Sequence, residues 1–364
     1  QPQIYNGSAV ITENGKPCIE NVTNGLLQTS SINGDDGAVS IFSVRNATSS
    51  SNSLGVIVDH STNISFGSSL GFRFDTSQTK LRFGTNSNFT TVAETFPTGQ
   101  NLHSGIANST GRNIYVDGVS VANTSGDQET TGVTSRPVTL FGLAYSNVVP
   151  FAGNIQEIIV YTGVTGDQST NRSGIETNIN SEYLIYQPTD APTSGLLATY
   201  TGAAAAYSVR QLSDKAVIAM RIRRDSDDAE TNIGFDSNGD LDTTAISDFC
   251  STANGYVVEW ADQSTNGNHA SQSTSGSQPQ IYNGTAVITD NGKPALDFTA
   301  DYMAMTTDTT LSNGAYFAAC VFSLDSATSF NMIMGADKVG VARVAQFLRN
   351  YNGNFSTVGF NTGG

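Results

Sequence analysis

A segment of seventeen residues occurs twice in this chain. QPQIYNGSAVITENGKP fills positions 1–17 and QPQIYNGTAVITDNGKP fills 278–294; fifteen positions are identical, Ser8 is answered by Thr285 and Glu13 by Asp290. A repeat constrains a chain before any other property does, because both copies must form the same local structure and their separation sets the size of the repeating unit. At the constant offset of 277 the likeness runs on more loosely, VSIFSVRNATS against FAACVFSLDSATS, so residues 1–87 and 278–364 read as the same part of one kind of domain. Chains that exchanged halves would need complementary ends, and these ends are redundant. The pattern predicts a window on a longer head-to-tail array of units about 277 residues long.

Between the copies, the residues read as short strands joined by polar turns. AVSIFSVRN (38–46), SLGVIVDH (53–60), SLGFRFDT (69–76) and TKLRFGTN (79–86) are runs of β-branched and aromatic residues punctuated by Gly, Asn and Ser. RNIYVDGVSVAN (112–123) is a hairpin with Asp117-Gly118 as its two-residue turn. FAGNIQEIIVYTG (151–163) is a last long strand, and 167–186 places Ile175, Ile179 and Tyr183 at helical spacing behind Asp167 as a cap. QPTDAPTSG (187–195) carries two prolines and no apolar residue larger than alanine, which marks a linker over 188–195. The expected domains are therefore a β-sandwich over 1–187 and, over 196–364, an extension running into a second, truncated sandwich. TTAISDFC (243–250) adds one further short helix.

Two resemblances attach to these segments. NIYVDGVSVA followed by LFGLAYSN and FAGNIQEIIVYTGVTGDQ, within residues 112–186, resembles the closing half of laminin-G and concanavalin A-like sandwiches. RRDSDDAETNIG, DFC, DQSTNGNH and NGKPALDF, within residues 203–298, resemble the start of the catalytic domain of glycoside hydrolase family 54 α-L-arabinofuranosidases. Both imply an all-β, concanavalin A-like jelly-roll sandwich, repeated in tandem and carrying one or two short helices. The second implies glycosidase chemistry, which needs two carboxyl groups flanking the scissile bond. No strand carboxylate here falls on a catalytic motif of that family, and no catalytic residue is assigned.

Charge and composition narrow the partners. Acids outnumber bases 32 to 17, a net charge of −15, which phosphate backbones repel, so nucleic acid is excluded as a partner. No apolar run is long enough to span a bilayer. Asp236, Asn238, Asp240 and Asp242 alternate through DSNGDLD, a spacing at which oxygen ligands could wrap calcium, although the distant glutamate of a full loop site is missing. The alternative is an Asn-Gly turn with solvated acids. Ten Asn-X-Ser/Thr acceptors for N-glycans occur, at Asn6, Asn21, Asn46, Asn63, Asn88, Asn108, Asn123, Asn171, Asn283 and Asn354. Asp262, Gln263, Asn266, Asn268 and His269 form a dense polar turn in which capping is favoured over acid–base work. Arg221, Arg223 and Arg224 beside Asp225, Asp227 and Asp228 read as a surface charge network, Trp260 as core, and His60 and His103 as isolated. Cys18, Cys250 and Cys320 allow one bridge and leave a free thiol.

These readings converge on an extracellular structural or adhesive repeat protein: a filament, stalk, surface layer or viral fibre. Its partners are neighbouring copies of itself and a cell-surface or extracellular polysaccharide. The runners-up are an arabinofuranosidase-like hydrolase and a non-catalytic carbohydrate-binding module.

Overall fold

Alternation along each strand decides how the first 187 residues layer. In Val39–Ala47, Val39 and Ile41 point into a core with Phe83, Ala107, Ile114, Phe141, Phe151 and Ile155, while Phe42 and Val44 point the other way, onto Leu102 and Ile179. A strand buried on both faces sits mid-sheet, and this one does. The computed structural model describes residues 2–21, 27–29, 37–47, 56–60, 70–74, 81–84, 89–91, 99–126, 139–141, 151–305, 317–324, 331–338, 341–351 and 354–356.

The sheet around that strand is antiparallel and six-stranded, in the order Val119–Ser125, Gly111–Val116, Gln100–Asn108, Val39–Ala47, Gly153–Thr162, Ile19–Asn21. A second six-stranded antiparallel sheet runs Leu27–Gln28, Thr139–Leu140, Val56–His60, Leu70–Phe74, Leu81–Gly84, Phe89–Thr91. Phe83 of the second sheet lies in one core with Ile41 and Ile114 of the first, which makes the pair a β-sandwich. The turn expected at Asp117-Gly118 forms with positive φ at both residues, 50° and 80°. The helix is shorter than its sequence pattern: Arg172–Tyr183, starting at Asn171. Asp167 does not cap it; its carboxylate accepts from the Ser169 N–H and from the Asn108 amide.

Within residues 196–289 and 294–305 a further sheet forms. Its strands run Glu230–Ile233, Met220–Arg224, Asn254–Trp260, Ala270–Ser271, Ala304–Met305, and Gln280–Asn283 pairs with the Asn254 end of the central strand. The helix Thr243–Cys250 packs on this sheet, its first turn closed by the Asp242 carboxylate accepting from the Ala245 N–H at 2.9 Å. Met220, Ile222, Ile233, Ile246, Val257, Ile281 and Tyr282 form the core beneath.

Segment 188–195 joins these two layers inside one compact unit, residues 1–289 with 294–306. Its ends are bonded down. Gln187 accepts from the Val217 and Ile218 N–H groups and donates to the Ile218 carbonyl, and Asp214 accepts from the N–H groups of Thr193 and Ser194. Residues 290–293 and 307–364 form a second unit, in which Asn331–Lys338, Val341–Tyr351 and Asn354–Ser356 make a three-stranded antiparallel sheet.

The two copies of the repeat adopt the same structure, bond for bond. Bridges Gln3–Glu20 and Tyr5–Val10 recur as Gln280–Asp297 and Tyr282–Val287. The Ile11 N–H donates to the Ile4 carbonyl at 2.8 Å, and Ile288 to Ile281 at 2.8 Å. Asn6 and Asn283 each turn the chain by accepting two N–H groups through Oδ1. Both copies end in an Asn-Gly turn with φ of 48° at each Asn and of 72° and 74° at Gly15 and Gly292. Their surroundings differ completely. Ile281 and Tyr282 are 0% and 4% exposed under the sheet of residues 219–258, whereas Ile4, Tyr5 and Val10 are 54%, 54% and 50% exposed.

Candidate functional site

The second copy of the repeat completes a cleft. Antiparallel register sets Arg223 opposite Tyr256, Tyr256 opposite Gln280, and Gln280 opposite Asp297, a row of four residues crossing three neighbouring strands and an isolated bridge beside them. The row lines a cleft of about 420 Å³ together with Asp225, Ser275, Gln278, Thr299 and Asp301. Arg223, 9% exposed, is fixed from three sides: Nε donates to Gln278 Oε1 at 2.8 Å, Nη1 to Asp228 Oδ1 at 2.8 Å, and the guanidinium lies 5.3 Å from the Tyr256 ring centre. Gln278 is held in turn by donating to the Gln272 carbonyl. Asp225 is committed to Asn254, accepting from its N–H and its amide at 3.0 Å each.

Asp297 and Asp301 are the acids facing the open part. Burial, and then repulsion from Asp297, push the Asp301 carboxyl up from the ordinary range, while the Thr299 N–H pulls it back in part. An aromatic ring, amides and carboxylates around one concavity are the groups that hydrogen-bond sugar hydroxyls and cover an apolar sugar face. The sequence reading missed this site. Arg223 was grouped with a surface network, yet it is buried, and only Arg224 with Asp227 and Arg221 with Glu230 and Glu259 remain at the surface. The signal was the alternation in GYVVEW, which puts Tyr256 on the face opposite the core residue Val257.

The residues singled out in the sequence fall elsewhere. Asp236 Oδ1 accepts from the N–H groups of Asn238 and Asp240, which makes an Asx turn, and Asp242 caps the helix. The turn uses these acids for backbone bonds. Among the described residues no three His, Cys, Asp or Glu side chains gather as a metal-binding cluster. Asp262 is buried and accepts from Ala206, Ser264 and Asn268 N–H groups, while Gln263 bonds Ser208, Arg210 and Leu212. That turn is a structural clasp, as its capping residues imply. His103 is not isolated: Arg45 donates to it at 3.0 Å inside the sandwich, and burial, with Arg45 beside it, holds its pKa well below the usual value. The side chain of His60 lies outside the described residues.

Among the glycan acceptors, Asn6, Asn123, Asn171 and Asn283 are exposed and Asn46 is half-buried. Asn21 and Asn108 are 1% and 5% exposed, and their amides donate to the Phe151 carbonyl and to Asp167. A glycan needs that nitrogen in solvent, so these two positions have no room for one. Asn63 and Asn88, and the side chain of Asn354, lie outside the described residues. All three cysteines are free thiols, Cys18 and Cys250 buried with pKa raised to about 11, Cys320 exposed.

No protein-family model matches the chain, and a comparison with curated proteins gives no match. The family-54 resemblance of residues 203–298 therefore stands on its motifs alone. Solved structures do match. A CBM40 of Ruminococcus gnavus IT-sialidase bound to α2,3-sialyllactose is 16% identical, covering 39% of this chain and 95% of its own, with a TM-score of 0.31. Domain 4 of AbnA, a GH43 extracellular arabinanase from Geobacillus stearothermophilus in complex with arabinotriose, is 14% identical over 41% of this chain and 68% of its own, TM-score 0.29. Mouse laminin α1 chain domains LG4-5 are 15% identical over 39% and 42%, TM-score 0.27. No helix among the described residues is long and apolar enough to cross a membrane.

Proposed function

We propose that this chain is a non-catalytic structural or adhesive protein that works outside the cell by joining units in series, each unit presenting a lectin-like sandwich. The observation that carries this reading is the double use of one hairpin, buried by residues 219–258 at its second occurrence and open at its first. A strongly acidic, amide-rich surface suits a filament, stalk, surface layer or virion fibre, where solubility and repulsion of nucleic acid both count. Sedimentation velocity and negative-stain microscopy test it. Linear assemblies that lengthen with concentration are expected; a strictly monomeric particle from micromolar to millimolar concentration would sink the reading.

The row Arg223–Tyr256–Gln280–Asp297 favours a second reading, a carbohydrate-binding cleft. A glycan array is expected to give signals that fall when Tyr256→Ala removes the ring, with no arabinose released from aryl arabinofuranosides. Turnover of those substrates would overturn the non-catalytic reading and restore the hydrolase.

A further inference from the structure

We propose that the cleft holding Arg223, Tyr256, Gln280 and Asp297 takes an uncharged saccharide and turns away glycans that carry carboxylate or sulfate groups. This deepens the carbohydrate-binding reading above and rests on it. The first copy of the repeat supplies the comparison. There the Gln3 amide donates to Glu20 Oε2 at 3.0 Å, so the two side chains satisfy each other. At the corresponding positions of the second copy they part. The Gln280 amide donates to the Tyr282 carbonyl at 3.0 Å, and Asp297 Oδ1 accepts from the Thr299 hydroxyl at 3.1 Å. Gln280 Oε1 and Asp297 Oδ2 are then left without a partner among the described residues.

One donor is left over in the same way. Arg223 is 9% exposed, and its Nε and Nη1 are committed to Gln278 and Asp228, while Nη2 has no partner among the described residues. An unpaired donor on a buried side chain is costly unless an oxygen from outside the chain meets it, and this side chain lines the cleft. A sugar hydroxyl both donates and accepts, so two neighbouring hydroxyls can accept from Nη2 and donate to Gln280 and Asp297 at once. A ligand carboxylate only accepts. It would gain Nη2 but meet Asp297 and Asp301, which already interact closely enough for Asp297 to raise the Asp301 carboxyl. Arg223 does not offset them, because its charge is paired with Asp228 at 2.8 Å. With Asp225 also on the wall, acids outweigh the one cation and anions are disfavoured on entry.

The walls are set before a ligand arrives. Gln280 and Asp297 exchange backbone bonds at 3.0 and 2.9 Å, and Tyr302, next to Asp301, donates its N–H to the Ser277 carbonyl and accepts from the Gln272 amide. A preformed site loses little to ordering on binding. Its volume of about 420 Å³ lies at the small end of ligand sites, about 300–1,000 Å³, which suits a short stretch of glycan.

An array of neutral glycans and their uronate, sialylated and sulfated counterparts tests this on the full chain. The parent is expected to bind neutral glycans alone, and Gln280→Ala and Asp297→Ala should each weaken that binding by roughly two- to tenfold. Asp297 is exposed and Gln280 half-buried, so neither truncation opens the core. A further variant reads specificity. Asp297→Asn with Asp301→Asn keeps the shape, removes two charges and should raise the uronate signal by about tenfold or more. An Asn pair that gains no uronate binding overturns the proposal. Parent binding to acidic glycans, or to oligoglucosamine above its N-acetylated form, overturns it too but keeps the cleft, provided that Tyr256→Ala abolishes the signal. No binding to any glycan, or binding that the cleft substitutions leave unchanged, ends both readings.

Discussion

The two hairpins are near-identical in sequence and backbone, and each is held by the part the other leaves in solvent. In the first copy the tip is engaged: Asn14 bridges Tyr183 and Asn232, Glu13 accepts from Asn154, Lys16 pairs with Glu182 at 2.9 Å, and a Cβ on Gly15 would come within 3.1 Å of Thr231. In the second copy Asn291 and Gly292 are exposed, and a Cβ on Gly292 would meet open space. The faces are reversed, Tyr282 at 4% exposure against Tyr5 at 54%. Local bonds alone therefore fold the hairpin, and burial decides only what it holds. The same residue should matter at one copy and be silent at the other.

The largest expected difference is at the tyrosines. Tyr282→Ala removes a core ring and the bond from its hydroxyl to the Ser251 carbonyl, and truncations of that kind cost about 3–5 kcal/mol. Tyr5→Ala should stay within about 0.5 kcal/mol, the range of surface substitutions. Urea unfolding followed by Trp260 fluorescence reads both; equal costs would mean that Tyr5 is already covered. Next come the turns. Asn14→Ala and Asn291→Ala share the strain of placing alanine at φ 48°, so their difference isolates the contacts. Losing the bonds to Tyr183, Thr231 and Asn232 should make Asn14→Ala the more damaging by about 1–3 kcal/mol. A difference near zero would show that the tip does not clamp the sandwich to the extension.

Much of this was legible in the sequence, and its gaps have physical causes. Strand alternation and the Asp117-Gly118 turn are period-two and dihedral signals, and both predict what forms. The helix over 243–250 was readable too, because its cap, Asp242, stands directly before it; counting Asp242 among calcium ligands was a competing use of the same carboxylate. The cleft was not legible. Its row draws Arg223, Tyr256, Gln280 and Asp297 from segments up to 74 positions apart, and only the register of the assembled sheet brings them into line. Nor could composition tell Asn21 and Asn108 from the exposed acceptors, since burial is set by strands far along the chain. The repeat announced two equivalent hairpins and was silent on which face each would use.

The smallest expected effect sharpens the comparison at one charge. Position 301 corresponds at the offset of 277 to Asn24, so Asp301→Asn gives the second copy the amide that the first already has. Burial and the neighbouring Asp297 raise the Asp301 carboxyl above its unfolded value, so the folded chain holds the proton more tightly than the unfolded one. Stability from this group is then complete in acid below the ordinary carboxylate range and is lost as pH rises through the raised value. At neutral pH the ionised carboxyl is a liability, and Asp301→Asn should unfold at slightly higher urea than the parent. The two should converge as pH falls below the ordinary range. Because the group is only partly buried, added salt should shrink the gap. A variant less stable than the parent at neutral pH would mean that the carboxylate is held by a favourable partner in the cleft, and the two ends of the chain would then differ in charge chemistry as well as in cover.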